Sequence, residues 1–159
     1  MNLYRAGYAL YGGNPTPGFL NPMRAVVRLE APIVMLRGVK KGESVGYNAQ
    51  WVAQKPSRIA VIGVGYADGL SRQLSASDIK KGGYAYVAGT LCPFAGRVSM
   101  DLITIDVSDV LYDIKRGDKV ELLGEHISVD DMAGWANTNG YEVLTSLGHR
   151  YQRNYTKGV

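Results

Sequence analysis

Cysteine is almost absent from this 159-residue sequence, in which Cys92 is the single thiol. One cysteine excludes an internal disulfide framework and any metal site built from several cysteines. The chain therefore needs no oxidising compartment, and we expect a cytoplasmic protein. Cys92 precedes a proline in an apolar stretch, which predicts a small core residue and not a nucleophile. The two histidines, His126 and His149, have no spacing typical of a metal site, so we expect no metal.

Long apolar runs and blocks of like charge are also missing. The apolar stretch at 59–66 is far shorter than the roughly 20 residues that span a bilayer. The first 13 residues lack the basic segment and cleavage site of a signal peptide. The net charge is +4, but the basic residues are scattered. We therefore keep a basic β-barrel that binds single-stranded nucleic acid, with tyrosines stacking on bases, only as an alternative.

Glycine and tyrosine are abundant, with 20 and 11 residues, whereas there are only two phenylalanines. This composition favours strands and turns over a helical bundle. Apolar residues at every second position of 25–35 predict one half-buried strand, or two strands with a bend at Pro32. The segment 58–66 is apolar on both faces and predicts a buried strand. Further strands are predicted at 84–98, as two strands broken at Cys92-Pro93, at 103–107 and at 119–123. Short strands separated by turns indicate a mainly β fold, a small barrel or sandwich.

One helix is signalled clearly. Ser128 followed by Asp131 forms a capping-box pattern, and the segment 137–140 is typical of a helix end. The following segment, 141–147, fits either a short helix or a strand, and 150–155 fits a final strand. We therefore expect one or two short helices beside the β structure.

Four segments contain motifs that are more specific than the overall composition. They are RAGYALYG at 5–12, VGYNAQW at 45–51, VIGVGYADG at 61–69 and GRVSMD at 96–101. In this order and spacing they resemble the C-terminal part of alanine racemase, a pyridoxal 5'-phosphate enzyme, over nearly the whole chain. The resemblance implies that residues 1–15 are the last segment of a cofactor-binding (β/α)₈ barrel and that 16–159 are a C-terminal β domain.

The resemblance also implies an activity. The parent enzyme would interconvert L- and D-alanine for bacterial peptidoglycan, as a homodimer whose subunits share each active site. In the family a barrel lysine holds the cofactor covalently, and no lysine of this chain matches it, so we expect the isolated chain to be inactive. A β domain from a related decarboxylase of basic amino acids is the alternative within the enzyme class.

Tyr47 is the catalytic residue that the resemblance implies. The matching tyrosine moves the α-proton on the L face of the substrate, while the cofactor lysine acts on the D face. A free tyrosine, with a pKa near 10, is a poor base at pH 7, and a nearby cation favours its phenolate. The family supplies an arginine from the partner's barrel.

The remaining roles concern cofactor and substrate. Arg5 matches the arginine facing the pyridine nitrogen, and Gly7 and Tyr8 match backbone amides that hold the cofactor phosphate. Met100 matches a residue whose N–H binds the substrate carboxylate, with Asp101 beside it, and Tyr66 matches a tyrosine at the active-site entrance. Two residues depart from the common pattern: His149 replaces a phosphate-contacting tyrosine, and Ser99 replaces a cysteine. These departures leave open a preference for serine over alanine. We expect Asp68-Gly69 to form a turn.

Overall fold

The computed structural model describes residue 3 and residues 7–156. Two seven-residue helices, α1 (Val129–Trp135) and α2 (Gly140–Ser146), follow the last strand. Across this described part of the chain, no helix is long and apolar enough to cross a membrane. The strands are β1 (Leu29–Val39), β2 (Ser44–Val45), β3 (Trp51–Val52), β4 (Ser57–Ile62), β5 (Tyr84–Val87), β6 (Thr90–Pro93), β7 (Ile103–Asp106) and β8 (Lys119–Leu123).

Six of these strands form one antiparallel sheet in the order β6-β5-β8-β1-β4-β7. The two ends of the sheet meet just beyond β6, where Phe94 pairs with Ile105 of β7. Next to that bridge the Ala95 N–H donates to the Thr104 carbonyl at 2.9 Å. The sheet is thus rolled into a nearly closed barrel, which confirms the mainly β prediction with two short helices.

The barrel interior is apolar and continuous, and β4 is buried on both faces. Cys92 points into this core, and burial raises the pKa of its thiol to about 12. A thiol with so high a pKa is protonated at neutral pH and a weak nucleophile. The prediction of a core cysteine is confirmed.

The predicted start and end of the first helix are also confirmed. The Ser128 hydroxyl accepts the Asp131 N–H at 3.0 Å, and the Asp131 carboxylate accepts the Ser128 N–H at 3.1 Å. Asn137 takes a left-handed φ of +53° just after α1, which ends the helix. The segment after it is helical, so the helix alternative for 141–147 is the correct one.

Four strand predictions were wrong in detail. The strand predicted at 58–66 ends at Ile62, and Tyr66–Asp68 is a short 3₁₀ helix. The break within 84–98 lies at Ala88-Gly89 and not at Cys92-Pro93, because both residues take positive φ (+43° and +86°) and close a tight hairpin. Pro93 ends an edge strand, where a missing N–H is tolerated. Strand β1 begins at Leu29 and runs through Pro32 with a bulge after Ile33. Residues 150–155 form no strand.

A buried carboxylate on β8 joins the sheet to the turn before α1. Glu121, only 5% exposed, accepts the N–H groups of His126 at 2.8 Å and Ile127 at 3.3 Å. The His126 ring contacts the same carboxylate and stacks on Tyr86 at 3.7 Å. Burial by itself would raise the pKa of Glu121, but these hydrogen bonds lower it overall.

Glu121 therefore makes stability depend on acid pH. A carboxylate with a lowered folded pKa stabilises the fold above its unfolded pKa of about 4.3, and this contribution disappears as the pH falls through the folded value. We expect Glu121→Gln to lose about 1–3 kcal/mol at pH 7, since the bonds to a charged acceptor are weakened. The deficit should shrink in acid. Urea unfolding from pH 7 to pH 3 measures this, with exposed Glu125→Gln as the control; a pH-independent deficit would contradict it.

Candidate functional site

Tyr47 stands at the tip of a small hairpin formed by β2 and β3, which pair through Ser44–Val52 and Val45–Trp51. Its side chain is 68% exposed. The two residues that follow, Asn48 and Ala49, take left-handed φ values of +61° and +48°. Such backbone costs non-glycine residues about 1–3 kcal/mol each and is concentrated at functional sites. The tight tip explains how a tyrosine is held out from the barrel.

The base of this hairpin is anchored by a second, smaller apolar cluster. Trp51 packs partly buried against it, and the buried members are Val39, Val45, Ala53, Ile59 and Ala95. Because the cluster includes residues of β1 and β4, the hairpin is fixed to the barrel wall. Tyr47 is thus exposed on a supported base.

The 96–101 segment lies directly against the Tyr47 hairpin. Gly96 has a φ of +93°, and a Cβ there would lie 2.9 Å from the Val45 carbonyl oxygen. The Arg97 Nε donates to Gln50 Oε1 at 2.9 Å. The structure therefore brings together two of the segments on which the sequence resemblance rests.

The Tyr66 turn packs against the other side of the same segment. The Tyr66 N–H donates to the Ser99 carbonyl at 2.9 Å, and the Ala67 N–H donates to the Met100 carbonyl at 3.0 Å. A Cβ on Gly65 would lie 2.3 Å from the Met100 carbonyl oxygen, so glycine is required for this close approach. Tyr66 and Met100 therefore belong to one structural unit.

The backbone N–H of Met100 has no hydrogen-bond acceptor among the residues that the structure describes. The carbonyl of the same residue is bound by Ala67, and Met100 as a whole is 53% exposed. An unpaired backbone donor in an exposed residue is suited to binding a small anion. A carboxylate, which accepts hydrogen bonds at both oxygens, is such a group.

Asp101 and Asp68 share one guanidinium. Arg150 Nη2 lies 2.8 Å from Asp101 Oδ1, and Arg150 Nε lies 3.3 Å from Asp68 Oδ1. Asp68 also accepts the Gly65 N–H at 2.8 Å and closes the predicted turn before Gly69. Sequence reasoning missed Arg150, because its partners are distant in sequence and no local motif marks the pairing.

The side chain of Tyr8 contacts residues of the two helices. Its hydroxyl donates to Asp130 at 2.6 Å, and its ring stacks on Tyr141 at 4.7 Å. Burial, followed by the hydrogen bond to Asp130, raises the pKa of Tyr8. Gly7 lies beside the same Tyr141 ring. Tyr8 thus contacts both α1 and α2, and Gly7 lies near α2, while Arg5 lies outside the described residues.

The two departures from the common pattern also have defined positions. The Ser99 hydroxyl donates to the Leu102 carbonyl at 2.7 Å and accepts the Leu102 N–H at 3.2 Å, so it closes the turn after Met100. His149 is exposed, next to Arg150. Ser99 therefore has a local structural contact that accounts for it.

Comparison with known proteins gives a consistent result. The family model described as alanine racemase, C-terminal domain, matches residues 26–155. The alanine racemase of Acidiphilium cryptum is 55% identical over 152 residues, covering 96% of this chain and 41% of that protein. The chain therefore belongs to the alanine racemase C-terminal domain family, and it spans about two fifths of the length of such relatives.

Solved structures agree with the family. Alanine racemase from Bartonella henselae, which carries covalently bound pyridoxal phosphate, superposes with a TM-score of 0.85 at 40% identity, covering 93% of this chain and 40% of that one. The biosynthetic alanine racemase from Pseudomonas aeruginosa gives 0.84 at 38% identity, covering 94% and 41%. The barrel and its helices are thus the C-terminal domain fold of these enzymes.

Proposed function

We propose that this chain is the C-terminal part of an alanine racemase that interconverts L- and D-alanine. The observation that carries the proposal is the packing of the exposed Tyr47 hairpin against the segment that presents the free Met100 N–H. A proton-carrying group and a carboxylate donor on adjacent loops are what α-proton chemistry on an amino acid needs. Family membership supplies the substrate class.

Tyr47 is the proposed base and acid on the L face of the substrate. Racemisation requires proton carriers on both faces, because a proton must leave one side and another must arrive opposite. Among the described residues, the Tyr47 hydroxyl makes no hydrogen bond. The group proposed to assist proton movement at this hydroxyl is the arginine of the partner's barrel that the resemblance implies.

Met100 and its neighbours form the proposed substrate site. The Met100 N–H binds the alanine carboxylate, and Tyr66, which faces the Arg72 guanidinium at 5.6 Å, lines the entrance. Asp101 lies beside the carboxylate position with its own charge paired by Arg150.

Pyridoxal 5'-phosphate fits the N-terminal part of the chain. The Tyr8 and Ala9 N–H groups open a 3₁₀ helix and have no acceptor within the described residues; free amides at a helix start suit a phosphate group. Gly7 lets the backbone approach that phosphate closely. When bound, the cofactor withdraws electrons from the α-carbon. The role of Arg5 at the pyridine nitrogen remains a prediction from the resemblance.

The proposed assembly is a homodimer in which Tyr47 serves the partner's active site. The exposure of Tyr47 and Met100 on this domain supports a site that another subunit completes. The proposed location is the bacterial cytoplasm, where D-alanine would be made for peptidoglycan.

Racemisation assays on two preparations test this function. With L-alanine and added cofactor, the full-length protein that contains this chain should generate D-alanine, whereas the chain alone should not, because none of its lysines matches the cofactor lysine. A parallel assay for amine and CO₂ with basic amino acids tests decarboxylation. Turnover of alanine by the isolated chain would refute the expected inactivity, and a cofactor-loaded full-length protein without racemisation would refute the proposed function.

A further inference from the structure

Arg150 connects two segments of the proposed substrate site. Its guanidinium bonds Asp101, which directly follows Met100, and Asp68, which closes the Tyr66 turn. No other described cation lies within ion-pair distance of either carboxylate. Among the described residues, the charge of the Asp101 carboxylate is therefore paired by this one side chain.

The Asp68 end of the connection is rigid. Asp68 is buried, its second carboxylate oxygen accepts the Gly65 N–H, and its carbonyl accepts the Gly148 N–H at 2.9 Å. Gly65 in turn packs against the Met100 carbonyl. Arg150 thus holds Asp101 against a fixed point and not against a mobile loop.

The Asp101 end is exposed, and Asp101 directly follows Met100 in the chain. An unpaired carboxylate in this position would repel the carboxylate of an incoming amino acid, while a paired one repels it far less. Arg150 is planar with several donors in a fixed fork, so it can bind both aspartates at once.

We propose that Arg150 is a positioning residue for substrate binding: it ties the Asp101 side chain to Asp68 and offsets the charge of Asp101, the residue that follows Met100. This inference rests on the proposed function, since it assigns how that site receives the substrate carboxylate. Arg150 acts through Asp101 and does not itself move a proton.

Steady-state kinetics of the full-length enzyme test the inference. In Arg150→Met we expect KM for L-alanine to rise about fivefold, the scale of an exposed charge interaction, with kcat within about twofold of the unmodified value. The inhibition constant of propionate, which has the carboxylate but no amine, should rise in parallel. Arg150→Lys should recover only part of the loss, because an ammonium lacks the fork that spans both partners.

A second substitution separates charge from folding. Adding Asp101→Asn to Arg150→Met removes the uncompensated carboxylate, so KM should move back towards the unmodified value. If Arg150 had only a structural role, removing the Asp101 carboxylate would not restore KM. Arg153→Met is the matched control, since Arg153 is exposed in the same segment and bonds only the Gly148 carbonyl at 3.2 Å; its KM should be unchanged.

The outcomes distinguish the two proposals. An active unmodified enzyme whose Arg150→Met variant keeps both KM and the propionate constant would overturn the inference and leave the function intact. A fall in kcat alone, or no rescue by Asp101→Asn, would also overturn it. Absence of racemisation by the unmodified enzyme would refute the proposed function and, with it, this role of Arg150. Thermal unfolding of each variant verifies that it is folded; if Arg150→Met is not, Arg150→Lys carries the comparison.

Discussion

Replacing Tyr47 with phenylalanine in the full-length enzyme should lower kcat for alanine racemisation by about 10²-fold or more, the low end for loss of a general acid–base group. The change removes one hydroxyl from an exposed ring and leaves the apolar base of the hairpin intact. We therefore expect the thermal unfolding temperature to remain unchanged. Initial rates with L- and D-alanine measure the effect, and both directions should fall together.

Proton exchange in D₂O gives a sharper version of this experiment. If Tyr47 serves the L face alone, the variant should still exchange the α-proton of D-alanine with solvent, because the proton carrier on the D face is untouched. The α-proton of L-alanine should exchange far more slowly. ¹H NMR of each enantiomer follows the loss of the α-proton without requiring racemisation.

Tyr112→Phe is the matched control for Tyr47→Phe. Tyr112 is also 68% exposed, and among the described residues its hydroxyl makes no hydrogen bond. Its loss should leave kcat unchanged. Equal activity of Tyr47→Phe and the unmodified enzyme would move the second proton carrier to another residue while keeping the family assignment.

The largest stability loss should come from Phe94→Ala. Phe94 is 2% exposed, lies over Gly83 and pairs with Ile105, where the barrel closes. Removing a buried ring leaves a cavity and costs about 3–5 kcal/mol. For a domain of this size that lowers the unfolding temperature by roughly 6–20 °C. Calorimetry of the isolated chain, followed by urea unfolding, measures it.

The sequence contains its own control for this substitution, because its only other phenylalanine is Phe19. Phe19 is 74% exposed, so Phe19→Ala should change stability by no more than about 0.5 kcal/mol. The same substitution is thus expected to cause a large loss of stability at Phe94 and almost none at Phe19. A small loss at Phe94 would mean that the stability of the barrel does not depend on the packing of this ring.

Local patterns predicted those elements whose stabilising contacts lie close in sequence. The alternation at Ile103 and Ile105 predicted β7, and the Ser128–Asp131 pair predicted the start of α1. Each signal acts within a few residues, through side-chain alternation or a reciprocal cap. By contrast, the hairpin break was predicted at Cys92-Pro93 because proline is a strong local signal, while pairing of β5 with β6 placed the turn at Ala88-Gly89.

The candidate site likewise has some features that the sequence predicted and others that only the folded structure shows. Motif order selected Tyr47, Tyr66 and Met100 as candidates, and folding packs their segments against one another. Motif order gave no indication that Asp101 is paired with Arg150 or that the Tyr8 side chain is bound by Asp130. These partners are far apart in the chain, and only folding brings them together.

By itself, then, the sequence determined the mainly β class and the family and supplied the candidate residues for the proposed chemistry, because composition, periodicity and motif order are properties of neighbouring residues. The tertiary structure decided where the barrel closes, how the Tyr47 hairpin is supported and which charges offset one another around Met100. Those features depend on contacts between residues that are distant in sequence, and such contacts are selected by the packing of the whole barrel, which no local pattern records.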